Sequence, residues 1–184
     1  MKKIINQSLE NHKKAFESLD INKIELIASD ILAGIKTGSK ILWCGNGGSA
    51  SQASHLNAEL LGGMFKKKIN PFQSICMNND TSFITAWSND DSFDNVFKRQ
   101  LEAIAKENDF LILLTTSGNS VNLIRAAEYA RKKKVKVISF TGNNGGALVK
   151  KSDLNINIQS KITQSIQEMH ILIGHIICEI IEKG

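Results

Sequence analysis

Between Lys40 and Ala50 the chain runs Lys-Ile-Leu-Trp-Cys-Gly-Asn-Gly-Gly-Ser-Ala. A short apolar run closed by glycines reads as a strand buried on both faces. The residues after it, Ser51 to Leu61, read as a helix that Gly62 and Gly63 stop. This strand, glycine loop and helix set the pattern for the rest. Phe72–Met77 is followed by Asn78-Asn79-Asp80. Phe110–Leu114 is followed by Thr-Thr-Ser-Gly-Asn-Ser and a helix near 121–133. Val135–Phe140 is followed by Thr-Gly-Asn-Asn-Gly-Gly, and Leu154–Ile158 makes a fifth strand. Near-continuous apolar strands alternating with helices predict a parallel sheet covered on both faces. The expected fold is α/β, a three-layer αβα sandwich on a five-stranded parallel sheet. Helices at about 3–18 and 21–36 precede it, and a long helix at about 163–182 closes the chain. No linker or repeat interrupts it, so residues 1–184 are expected to form a single domain, with the helices of residues 1–38 packed on the core.

At 184 residues a chain buries roughly 70% of the surface its unfolded form exposes, enough for a core without disulfides or structural zinc. With 42% apolar residues it is not a disordered chain. Cys44, Cys76 and Cys178 are odd in number, far apart and set in apolar segments, which suits reduced thiols in a cytoplasmic protein. The N-terminus turns polar by Asn6 and no apolar run reaches membrane-spanning length, so neither a signal peptide nor a membrane partner is expected. The formal charge is +5, from 23 Lys and Arg against 18 Asp and Glu. The cationic runs at 66–68, 131–134 and 150–151 lack interleaved aromatics and stand where helices end, so no nucleic-acid partner is expected. A positive field that collects anionic small molecules is the simpler reading.

Ligands of open parallel sheets bind beyond the carboxyl ends of the strands. Two loops there look built for an anion. Gly45-Asn46-Gly47-Gly48-Ser49 opens a helix, and Thr115-Thr116-Ser117-Gly118-Asn119-Ser120 repeats the arrangement with four hydroxyls. Gly45, Gly47 and Ala50 also satisfy a loosened dinucleotide fingerprint, with Asp80 as the ribose acid, but such a lone match is weak; neither loop ends in Gly-Lys-Ser/Thr, which excludes a P-loop. His55 and Glu59 lie four apart, on one helix face, within reach of a single metal ion or substrate. The final helix adds Gln167, Glu168, His170 and His175. Helical geometry puts Glu168 closer to the stripe of His175 than Gln167, and periodicity alone does not choose among them. That helix is apolar nearly all round, which predicts burial on two sides.

In order along the chain, Cys-Gly-Asn-Gly-Gly-Ser (44–49), His-x-x-x-Glu (55–59), Asn-Asp (89–90), Thr-Ser-Gly-Asn-Ser (116–120) and Ile-Gln-Glu-x-His-x-x-x-x-His (166–175) resemble the sugar isomerase (SIS) family, and most closely its bacterial phosphoheptose isomerases. The resemblance implies an aldose-ketose isomerase acting on a sugar phosphate, with one Zn2+ per subunit held by His55, Glu59, Gln167 and His175. It makes Glu59 and His175 the acid/base pair. It places the sugar at Asn46, Gly47, Gly48, Ser49, Asn89, Asp90 and Gln167, and the phosphate at Thr115, Thr116, Ser117 and Ser120. It further implies a homotetramer whose sites are shared between subunits. The sequence departs from the family pattern at Gln52, Gly63, Gln164 and Ser165. A non-catalytic relative that binds a replication initiator is the alternative within the fold, but the metal and acid/base residues are all present.

Overall fold

The structure, a computed structural model, describes residues 1–65 and 71–184. The run of three lysines at 66–68 therefore lies outside the described residues. Helices α1 (Lys2–Glu17) and α2 (Ile21–Lys36) come first; then β1 (Ile41–Gly45), α3 (Gly48–Gly62), β2 (Ser74–Cys76), α4 (Thr81–Asp90) and α5 (Val96–Ile104) follow. The second half contains β3 (Phe110–Leu114), α6 (Val121–Lys132), β4 (Lys136–Gly142), β5 (Leu154–Ile158) and α7 (Thr163–Lys183). The five strands form one sheet in the order β2-β1-β3-β4-β5, and every neighbouring pair is parallel.

Strand side chains alternate between faces, and here both faces are apolar. Ile41, Trp43, Phe110, Ile112, Leu114, Ile138 and Phe140 join the core built with α2, α3 and α7. Leu42, Cys44, Leu111, Leu113 and Val137 join the core built with α5 and α6. The expected three-layer αβα sandwich is thus formed by strands that bury both faces. Asp20 caps α2 by accepting from the Lys23 N–H at 3.1 Å, so the chain breaks between α1 and α2 where the sequence places its first polar cap. Among the described residues no helix is long and apolar enough to cross a membrane.

The two sides of α7 are filled mostly from within the chain. Ile166, Met169, Ile173, Ile177 and Ile181 are buried, while Ile171, Leu172 and Ile176 pack partly buried against the same core. His170 is fully buried on this helix. Its Nε2 lies 3.1 Å from the Thr141 carbonyl oxygen; a carbonyl only accepts, so Nε2 carries the proton. Nδ1 has no partner among the described residues, and the ring stands edge-on to Phe140 with centroids 5.8 Å apart.

The region 81–104 has no counterpart in the sequence expectations. Helix α4 has no fully buried residue, and its apolar positions form only a short stripe. Asp80 caps it by accepting from the Phe83 N–H at 2.9 Å, which uses the carboxylate that the dinucleotide reading set aside for a ribose.

The cationic run at 131–134 ends α6, at the amino ends of the strands, because a helix after a parallel strand returns to the opposite edge of the sheet. Arg131 faces Asp153 at 3.8 Å, Lys134 pairs with Glu107 at 3.0 Å, and Lys151 pairs with Glu128 at 2.7 Å. These cations complement neighbouring carboxylates at the edge away from the expected ligand loops. This corrects the reading of the 131–134 run as part of a field that collects an anion.

Burial in an apolar layer pushes the His170 pKa down to about 4. The unfolded chain takes up that proton near pH 6.5, whereas the folded chain resists it until about pH 4. The contribution of His170 to stability is therefore complete above pH 6.5 and falls as the pH drops toward 4. Urea unfolding at pH 7 and pH 5 should show about 2 kcal/mol less stability at pH 5 from this group, and His170→Gln should remove that share of the difference.

Candidate active site

The strand order reverses direction between β1 and β3, which opens a crevice at their carboxyl ends, where ligands of such sheets bind. The glycine loop after β1 and the hydroxyl loop after β3 form its two walls. Behind them α3 and α7 cross in close contact. A Cβ on Gly174 would stand 2.4 Å from Leu56 Cδ1, so glycine lets α7 lie against α3 with the Leu56 side chain in place. The next residue on α7 is His175.

That contact gathers three polar side chains from two helices. His55 Nε2 lies 2.8 Å from His175 Nε2 and 3.4 Å from Glu59 Oε1. One ligand atom from each of His55, Glu59 and His175 lies within 4.8 Å of the others. Two imidazoles and a carboxylate are a donor set able to hold a divalent metal. His55 is exposed and the other two are half-buried, so the group is open to solvent. Glu168 is not part of this group and meets His12 of α1 at 2.8 Å. Below the cluster, burial, aided by Glu59 and Glu182, pushes the Cys178 thiol up to about 12, so it remains a neutral core group.

Gln167, two turns before His175 on α7, faces the opening of α3. Its Nε2 is 3.4 Å from Ser49 Oγ, and its amide lies against Gly48. The Gln167 carbonyl accepts from Gln52 Nε2 at 2.6 Å. Gln52 Oε1 is buried with no partner among the described residues. Ser49 is buried, whereas Asn46 is half-buried and Gly47 and Gly48 are exposed at the mouth of the loop. Asn89 and Asp90 stand exposed at the end of α4, where the Asn89 amide donates to Asp90 Oδ1 at 2.9 Å.

In the second loop Thr115 is buried, and its hydroxyl accepts from the Gly118 N–H at 3.2 Å, shaping the turn from inside. Thr116 and Ser120 are half-buried and Ser117 is exposed. Ser120 is the N-cap of α6, yet its side chain makes no cap hydrogen bond. The hydroxyl beside this positive helix end is thus not spent on the helix, which fits a cradle for an anion.

Two structural residues escaped the sequence reading. Asn78, after β2, accepts from the Gly45 N–H at 3.1 Å and donates to the Gly45 carbonyl at 2.9 Å, extending the sheet by one side chain. Asn122, on the first turn of α6, pairs with Asn46. Their positions after a strand and at a helix start were visible, but their partners depend on the strand order.

The SIS domain family model matches residues 6–142. The chain is 43% identical over 183 residues to a phosphoheptose isomerase of Aquifex aeolicus, covering 100% of this chain and 95% of that one. Its fold matches the structure of a phosphoheptose isomerase from Francisella tularensis with a TM-score of 0.93 and 33% identity, covering 100% and 96% of the two chains. A phosphoheptose isomerase from Neisseria gonorrhoeae matches with a TM-score of 0.90 at 33% identity, over 100% of this chain and 97% of the other.

The hydroxyl loop is braced from behind. Gly118 has φ +66°, and a Cβ there would stand 1.9 Å from the Gly145 carbonyl oxygen. Both the backbone conformation and the space require glycine. Gly118→Ala should therefore push the loop off the 145–146 segment and weaken binding of inorganic phosphate by about tenfold or more, a loss of about 1.4 kcal/mol. Isothermal titration at constant ionic strength would measure it.

Proposed function

The chain belongs to the SIS domain family, and we propose that it isomerises D-sedoheptulose 7-phosphate to D-glycero-D-manno-heptose 7-phosphate, as a phosphoheptose isomerase feeding nucleotide-activated heptose for surface polysaccharide. The observation that carries this reading is the convergence of His55, Glu59 and His175 beside two loops suited to a sugar and a phosphate. A ketose and an aldose differ by a proton moved from C1 to C2 and another moved between the two oxygens, through an enediolate. Such a reaction needs one base at carbon, one acid/base at oxygen, and a firm hold on the distant phosphate.

Glu59 is the group for the carbon proton. Its carboxylate is partly shielded, with 23% of the side chain exposed, and is held one helical turn from His55. His175 serves the oxygens, giving a proton to one while another is withdrawn from its neighbour. Thr116, Ser117 and Ser120, with the start of α6, hold the phosphate, so binding energy far from the reaction orients the reacting carbons. Asn46, Gly47, Gly48 and Ser49 line the sugar side; Asn89 and Asp90 are assigned to the same sugar. Thr115 acts through the shape of the loop.

Two imidazole nitrogens and a carboxylate oxygen match the three protein ligands of a catalytic zinc site, and Gln167 is assigned as a further ligand. When bound, zinc supplies Lewis-acid stabilisation of the negative charge that develops on oxygen. The family assignment also supports a homotetramer. Ile4, Ile5, Leu9 and Phe16 on α1 are each more than half exposed, an apolar surface suited to a second copy of the chain. A phosphorylated sugar as substrate fits a cytoplasmic location.

Glu59→Gln and His175→Ala should each lower kcat on sedoheptulose 7-phosphate by about 10²- to 10⁴-fold, measured by release of the aldose. Full activity in either variant would remove that residue from its role. Dialysis against a chelator should abolish activity and zinc should restore it. Light scattering should give the mass of four chains, and Leu9→Glu with Phe16→Glu should lower it.

A further inference from the structure

The β1–β3 ladder ends at Gly45 and Leu114, so beyond it the two ligand loops are held in register by side chains. Asn46 Nδ2 donates to Asn122 Oδ1 at 3.0 Å, and Asn122 Nδ2 donates back to Asn46 Oδ1 at 2.9 Å. Asn122 is 2% exposed. The pair would look the same with both amides reversed, but the Leu123 N–H also donates to Asn122 Oδ1 at 2.9 Å. An N–H needs an oxygen there, which fixes the Asn122 amide and, through the pair, the Asn46 amide. A primary amide offers two N–H donors and two lone pairs. The pair takes one of each from Asn46, leaving it one N–H and one lone pair for a ligand in the crevice.

We propose that Asn122 is a positioning residue of the isomerase, one that aims the Asn46 amide at the sugar and fixes the span between the sugar loop and the phosphate cradle. The inference rests on the reading of this site as a sugar-phosphate isomerase. Asn122 stands two residues beyond Ser120, on the turn that presents the cradle, so it moves with the phosphate. Asn46 moves with the loop that borders His55 and Glu59. A substrate gripped at its phosphate and reacting at its far carbons has a fixed length, and displacements near 1 Å at the reacting atoms are costly. A clasp with two hydrogen bonds across the crevice suits that demand. Phosphate binding by itself makes no use of it.

Asn122→Ala should lower kcat on sedoheptulose 7-phosphate by about 10- to 100-fold, while the inhibition constant of inorganic phosphate changes by no more than about twofold. Because Asn122 acts through Asn46, the double variant with Asn46→Ala should lose no more than the worse single variant. A merely structural role would lower the melting temperature and multiply the two losses. Asn122→Asp keeps the size and the acceptor contacts but loses the donor to Asn46, and it should fall in the same direction if the alanine variant does not fold. Wild-type kcat in a folded variant, multiplied losses in the double variant, or failure of both variants to fold would overturn the inference. In the first two of these outcomes an active wild type leaves the assigned reaction standing. A zinc-loaded wild type inactive on this substrate overturns that reading and the inference together.

Discussion

Helix α7 can lie directly on α3 because Gly174 offers no side chain to Leu56. A larger residue would displace the buried Leu56 side chain from this contact, and the contacts of His175 with His55 and of Gln167 with Ser49 both span the crossing. His175 meets His55 at 2.8 Å because its immediate neighbour is this glycine. Gln167, two turns earlier on α7, reaches Ser49 and Gly48 at the opening of α3. The same crossing places the Cys178 thiol near the Leu56 carbonyl at 3.9 Å, in the buried layer between the two helices. Interiors are packed densely enough that a methyl at such a point would be felt along the whole contact.

The hydroxyl loop proposed to hold the phosphate and the cationic run at 131–134 occupy opposite edges of the sheet. The cradle is built of hydroxyls and a helix N-terminus after β3, whereas Arg131–Lys134 lead into the amino end of β4. An anion bound there, as proposed, would be met by fixed dipoles whose orientation is set by the fold before any ligand arrives. Lysine and arginine side chains would bring more charge but also more freedom to lose on binding. The +5 balance of the chain is largely a property of its surface, with cations drawn to helix ends and to carboxylates such as Asp153 and Glu128.

What the sequence disclosed follows the same physical line. Strand β3 has the bounds expected of it because an unbroken apolar run bounded by polar turns has one reading in a covered parallel sheet, and β5 at the sheet edge because Leu-Asn-Ile-Asn-Ile alternates with period two. Helices α4 and α5 carry short stripes, with Phe83, Ile84 and Trp87 half-buried on one and Val96, Phe97 and Leu101 buried on the other, but helices of 10 and 9 residues give a helical period few turns in which to show. At the site, the face shared by His55 and Glu59 could be read from their spacing, but the partner on α7 could not. Glu168 fits the stripe of His175 better than Gln167 does, yet it meets His12 on α1 and is not part of the group with His55 and Glu59. That contact joins residues 156 positions apart, a separation over which no local periodicity carries information.

The carboxyl rim of the sheet shows one further regularity. Asn78 after β2 holds Gly45 of β1, and Asn46 after β1 holds Asn122 after β3. Asn119 after β3 accepts from the Ala147 N–H after β4 at 2.9 Å, and Asn157 of β5 donates to the Asn143 carbonyl after β4 at 2.8 Å. Each step across the strand order β2-β1-β3-β4-β5 is thus bridged by an asparagine. A primary amide carries a donor and an acceptor in one plane, as a peptide group does, so it continues a ladder where the backbone has turned away. It is also neutral. A carboxylate in the same places would accept but not donate, and it would repel the phosphate. A lysine would donate but not accept, and it would carry its own partner requirements into the crevice. The rim is thus bridged by a short, uncharged group that bonds in both directions, and the loops proposed to hold sugar and phosphate are fixed to one another without adding charge to the site they enclose.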